Sequence, residues 1–151
     1  MIQKRKFTKF QLKTAFEYFS QQVTQPGKRP TYSAFVWENY NRLAPVYGSI
    51  MQAIQSMPQQ AECRKIADEL QGLHQARLGN AGVPNGVEAD AELDKKIEEL
   101  NQKGAQLAAE SNAEINKMLN TQGVELEVDC LTLSEFIEDA PPFIVGPFKY
   151  N

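Results

Sequence analysis

The stretch Leu93-Asp94-Lys95-Lys96-Ile97-Glu98-Glu99-Leu100-Asn101-Gln102-Lys103-Gly104-Ala105-Gln106-Leu107 decides the fold class. Leu93, Ile97, Leu100, Gly104, Leu107 and Ser111 recur at alternating spacings of four and three, the period of a helix with one apolar stripe. The pattern predicts a helix over 87–120, with Ile115 and Met118 following after a one-residue slip. At ~1.5 Å rise per residue such a helix is on the order of 50 Å long, so it needs an equally long partner or must project. Gly104 and Ser111 are small enough to let a neighbouring helix approach closely.

The partner lies upstream. From Thr31, the positions Val36, Tyr40, Leu43, Tyr47, Ile50, Ile54, Met57 and Ala61 repeat the same alternation, predicting a helical segment over 31–78. Pro45 removes one backbone donor and clashes with the preceding turn, so a kink is expected near Arg42 to Pro45. A break and restart is expected at Ser56–Gln59, where Ser56 and Gln59 can form a capping box around Pro58. Residues 79–86 hold three glycines and a proline and read as the hairpin tip.

Shorter elements flank the hairpin. Leu12, Ala15, Phe16 and Phe19 predict a first helix over 8–22 with Thr8 as its N-cap, ended by the Pro26-Gly27 and Pro30 loop. Val124-Glu125-Leu126-Glu127-Val128-Asp129 alternates strictly and predicts a strand over 124–129 with an acidic outer face. Its mate is residues 1–6, the segment Phe143-Ile144-Val145, or another copy, since a lone strand is unstable. Thr132 and Glu135 form a capping box that starts a short helix over 132–138. The proline-rich 139–151 reads as an extended tail, lying in a groove of its own domain or reaching into a neighbour. The expected fold is mainly α, one domain over 1–151: a long helical hairpin with a short N-terminal helix and a small C-terminal strand, helix and extended tail.

Composition narrows the function classes. With 42% hydrophobic and 23% charged residues the chain has the balance of a soluble globular protein able to bury a core. A net charge of -3 argues against broad nucleic-acid binding, which needs clustered cations to displace counterions. The one basic stretch, Lys4, Arg5, Lys6, Lys9 and Lys13, reads as a solvated helix start. No membrane span and no signal-peptide core are read in the sequence.

No catalytic, cofactor or metal site emerges. His74 is the sole histidine and lacks a nucleophile or carboxylate at a recognisable spacing. Cys63 and Cys130 are far apart and read as buried free thiols. The acids Glu88, Asp90, Glu92, Asp94, Glu98 and Glu99 interleave with Lys95 and Lys96 and read as a solvated face. The glycines of 79–86 neither follow a strand nor precede a phosphate-binding lysine. Of the aromatic group Tyr32, Phe35, Trp37, Tyr40 and Tyr47, Trp37 falls off the seam and is the best exposed contact. Phe143, Ile144, Val145 and Phe148 are apolar enough to seek burial, so with Trp37 they are the candidate protein-contact residues, the tail serving as an arm that crosses a subunit boundary.

Three segments carry a resemblance. They are Phe7-Thr8-Lys9-Phe10-Gln11-Leu12, Asn41-Arg42-Leu43-Ala44-Pro45-Val46, and Ile115-Asn116-Lys117-Met118-Leu119-Asn120 leading into Val124-Glu125-Leu126-Glu127-Val128. In this order they resemble a loose family of short, uncharacterised tailed-bacteriophage and prophage proteins, in which a long helical pair precedes a short acidic strand and a small helix. The family carries no catalytic residues to transfer. The resemblance implies a phage origin, and hence a location in the bacterial host cytoplasm or the virion. The expected function is a non-enzymatic protein-binding or virion assembly component acting through hairpin and arm, associating with itself or with another phage or host protein. The rival is a phage-encoded inhibitor or trigger of a host defence protein.

Overall fold

The computed structural model describes residues 1–25, 28–79, 86–121 and 123–150, with the backbone alone for 86–89. Its elements run β1 (Ile2–Thr8), α1 (Lys9–Gln22), α2 (Pro30–Gln55), α3 (Pro58–Gly79), α4 (Gly86–Thr121), β2 (Gly123–Asp129), a 3-10 turn (Leu133–Glu135) and α5 (Pro142–Phe148). The chain is mainly helical and contains the long helix pair. The 151 residues expected to form one domain sort into two compact units, Met1–Ala53 with Asn116–Asn151, and Ile54–Ile115.

In the first unit, β1 and β2 form an antiparallel pair with Ile2 opposite Asp129 and Thr8 opposite Gly123. This selects the N-terminal segment from the three mates open to β2. The register sets Lys4 opposite Glu127 and Lys6 opposite Glu125 on the exposed face. Opposite charges in directly facing positions stabilise a ladder by roughly 0.2–1 kcal/mol per pair. Lys4, Arg5 and Lys6 therefore stand in a strand, where a solvated helix start was expected. Phe7 and Val128 point to the other face and are buried.

Thr8 ends β1 and caps α1: its hydroxyl accepts from the Gln11 backbone N–H at 3.1 Å, and the Gln11 carboxamide oxygen accepts from the Thr8 N–H at 2.9 Å. α1 turns Leu12, Ala15 and Phe19 inward, as its spacing predicts. α2 starts at Pro30, where a missing N–H costs nothing because no helix uses its first donors. It runs as helix through Pro45 to Gln55, and α3 begins at Pro58, matching the expected break.

The largest corrections lie at the C-terminus. The expected helix over 132–138 is one 3-10 turn, held by the expected Thr132–Glu135 capping box. Within the expected extended tail of 139–151, residues Pro142–Phe148 form helix α5. Two of the three prolines favour this, Pro141 and Pro142 occupying the N-cap and first helical positions, where no donor is needed, whereas Pro147 falls inside the last turn and gives up one helical donor. Ile144 and Val145 donate to the Pro141 carbonyl at 2.9 and 3.1 Å. A parallel bridge between Leu131 and Lys149 follows α5, and the Arg5 guanidinium donates to the Lys149 carbonyl at 2.8 Å.

α5 completes the core. The Phe148 ring lies 5.5 Å from Phe7, 5.2 Å from Phe19 and 6.0 Å from Phe35, and Phe35 meets Phe136 edge-on at 5.7 Å. Edge-to-face aromatic packing of this kind adds to the burial of the rings themselves. Asn39 is wholly buried, with its carboxamide bonded to the backbone of Asp129 in both directions.

In the second unit, α3 and α4 pack antiparallel. Three pairs show it, with α4 numbers falling as α3 numbers rise. Gln60 donates to the Ser111 hydroxyl at 2.8 Å, a Cβ built on Gly104 would lie 3.4 Å from Ile66 Cγ2, and Arg77 forms an ion pair with Asp94. Gly104 and Ser111 thus stand where the helices approach, the role their size predicts. The expected tip falls mostly on 80–85, outside the described residues. Among the described residues, no helix is long and apolar enough to cross a membrane.

Candidate functional site

The candidate contact residues divide sharply. Trp37 is 53% exposed at one end of an aromatic row: its ring meets Tyr40 edge-on at 5.9 Å, and Phe16 stacks on Tyr40 at 5.2 Å and on Tyr47 at 4.3 Å. Tyr32 and Phe35 are fully buried. Phe143 is 47% exposed, its ring edge-on to Tyr18 at 6.0 Å, and Val145 is half-buried. Ile144 and Phe148 are fully buried in the core of their own unit. Ile144 and Phe148 are therefore corrected as contact residues, since their burial inside the chain removes them from a subunit-crossing arm. Phe143 and Val145 keep part of their surface accessible.

Candidate chemistry is sparse. His74 is exposed on α3, and no group of three or more His, Cys, Asp or Glu able to hold a metal occurs among the described residues. Cys130 is buried, as expected, whereas Cys63 is only half-buried on α3. Burial pushes the Cys130 thiol pKa up, and the nearby Arg5 guanidinium opposes that shift. The Tyr18 and Tyr32 hydroxyls bond to each other, and desolvation raises both pKa values. All three groups are held neutral, unlike an activated nucleophile, whose pKa is lowered.

The feature best suited to contact is the α3–α4 pair. Two helices enclose no core, so their seam remains partly open. Ile66 is buried between them, but Leu70, Leu73, Leu93, Ile97, Leu100 and Leu107 are only half-buried. One flank of the seam carries a groove of about 500 Å³ lined by half-buried Leu73 and Leu100, by Gly72 and by the exposed charges Glu69, Lys96, Glu99 and Lys103. The other flank carries a groove of about 320 Å³ lined by Cys63, Ile66, Ala67, Leu70, Asn101, Gly104, Ala105 and Ala108, without a charge.

Sequence reading found the seam but not this division of its flanks. The signal was present in the lysines and glutamates spaced along α4, which were read as an undifferentiated solvated face. Compared with family models, curated proteins and solved structures, the chain matches none.

Proposed function

We propose that the chain is a non-enzymatic protein-binding or assembly component that works through the open face of its α3–α4 hairpin. The observation that carries this reading is the half-buried seam, with Leu73 and Leu100 lining a groove together with exposed charges. Burial of apolar surface is worth roughly 25 cal/mol per Å², so a row of half-covered leucines is a standing drive toward a protein partner. The charges supply orientation and selectivity, as polar rims do around apolar interface centres.

The phage resemblance directs the test. The tagged chain and its Leu73→Glu variant are expressed during phage infection, and virions and host fractions are compared by mass spectrometry. The proposal expects the wild-type chain with a defined protein set that Leu73→Glu loses while circular dichroism stays unchanged. Recovery in virions favours an assembly component, and recovery with one host protein favours a host-directed effector. Equal recovery of every partner by both forms would sink the hairpin reading.

A further inference from the structure

The charges beside the Leu73 and Leu100 groove are ordered. Along α4, Glu92, Lys96, Glu99 and Lys103 follow at spacings of four, three and four residues, which places them in one stripe on one helix face. Their signs alternate. Lys96, Glu99 and Lys103 line the larger groove together with Glu69 of α3, and Glu92 continues the row beside Lys95, Lys96 and Glu99 in an adjoining surface depression. No ion pair within 4 Å joins any of the four to another described residue, although Glu99 and Lys103 stand at the spacing that pairs Glu38 with Arg42 on α2.

This row is complementary to its own reverse. An antiparallel copy related by a two-fold axis between Lys96 and Glu99 sets Lys96 opposite the partner's Glu99 and Glu92 opposite the partner's Lys103, then repeats both pairs by symmetry. A parallel copy sets every charge against itself. Closed two-fold assemblies require such a self-complementary patch, and charge pairing of this kind fixes the orientation of one helix on another. The same apposition carries the half-buried Leu100 and Leu73 onto a second hairpin. Two hairpins make four helices, an arrangement that encloses an apolar seam where two helices leave it open.

We propose that the α3–α4 hairpin is the interface of a two-fold symmetric homodimer, with the Glu92, Lys96, Glu99 and Lys103 stripe of one copy antiparallel on that of the other. The proposal rests on the reading of the hairpin as a protein-docking surface and names a second copy of this chain as the occupant. A foreign partner would have to bring matching charges, whereas a second copy already has them.

Charge reversal tests it. By sedimentation equilibrium the wild-type chain is expected at twice its 17.0 kDa mass. Lys96→Glu alone and Glu99→Lys alone each set like charges against one another across the axis. Each is expected to raise the dimer dissociation constant about tenfold or more, from two lost pairs and their replacement by repulsion. The double variant K96E/E99K exchanges the signs and is expected to restore the dimer to within about threefold of wild type. An equimolar mixture of the two single variants is expected to form a heterodimer, because each then presents the charges that the other lacks. Circular dichroism of each variant confirms that the helices persist.

A wild-type chain that stays monomeric at the highest attainable concentration overturns the proposal, as does a dimer indifferent to all three variants. In either case the partner set lost by Leu73→Glu decides the broader reading separately. If that set is still lost, a foreign protein occupies the groove and only the homodimer falls. If it is unchanged, both readings fall.

Discussion

The Asn39 carboxamide pairs with the Asp129 backbone in both directions, donating from Nδ2 to the carbonyl at 3.0 Å and accepting from the N–H at Oδ1 at 2.8 Å. One side chain of α2 thus takes the place of a third strand at the end of β2. It satisfies the polar groups of Asp129 that β1 leaves unused. The pairing fastens α2 to the sheet across ninety positions of sequence.

Asn39→Ala is expected to lower unfolding stability by about 2–4 kcal/mol, because it leaves a buried peptide donor and acceptor unpaired. Asn39→Asp keeps the acceptor but turns a carboxylate toward the Asp129 carbonyl, and is expected to cost at least as much near neutral pH. Urea unfolding of the three proteins checks the order. A cost below about 0.5 kcal/mol for Asn39→Ala would show the pairing replaced by water.

Phe148 and Phe143 are five residues apart on one short helix and are expected to behave oppositely. Phe148→Ala empties the centre of the aromatic cluster and is expected to cost about 3–5 kcal/mol. Phe143→Ala removes a ring that is 47% exposed and is expected to cost under about 1 kcal/mol. Thermal melts of the two variants decide whether α5 belongs to the core of its own chain.

The close approach at Gly104 gives a prediction whose sign depends on size. An added Cβ just fits at 3.4 Å from Ile66 Cγ2, and alanine is favoured over glycine in a helix by about 1 kcal/mol. Gly104→Ala is therefore expected to be neutral or stabilising. Gly104→Leu forces the helices apart and is expected to cost about 1–3 kcal/mol. Equal melting temperatures for wild type and Gly104→Leu would place the contact outside the seam.

Alkaline pH is expected to weaken the fold in two stages. Desolvation raises the folded-state pKa of Cys130 above its unfolded value, so the unfolded thiol loses its proton first. The native state then binds more protons, and stability falls as pH rises. The Cys130 contribution is full below pH ~8.5 and declines above it, and Tyr18 and Tyr32 add a second decline above pH ~10. Denaturation midpoints from pH 7 to 11 should show this course, with the first decline absent in Cys130→Ala. Alkylation at pH 8 is expected to label half-buried Cys63 well before Cys130.

Much of the architecture was written in local order. The recurrence of Leu93, Ile97, Leu100 and Leu107 predicts α4, the alternation of Val124 to Asp129 predicts β2, and Thr8 marks the start of α1. These features depend on neighbours within a few residues, where helix and strand periods leave a direct imprint. The seam that makes the hairpin the candidate site was legible for the same reason.

Tertiary structure decided the rest. Residues 1–6 were one of three mates open to the strand 124–129, and no local pattern chose among them, because the charges and side chains that hold them belong to residues 123–129. Ile144 and Phe148 read equally well as an arm or a core. The choice fell to Phe7, Phe19 and Phe35, which leave room for one more ring, and to Pro141 and Pro142, placed where a helix needs no donors. No local pattern singles out Asn39, whose role depends on Asp129 ninety positions away. Sequence by itself determined the elements whose stabilising contacts are near in the chain, and tertiary structure decided those whose contacts are distant. A hydrophobic period records which face of an element will be buried, but not what will bury it.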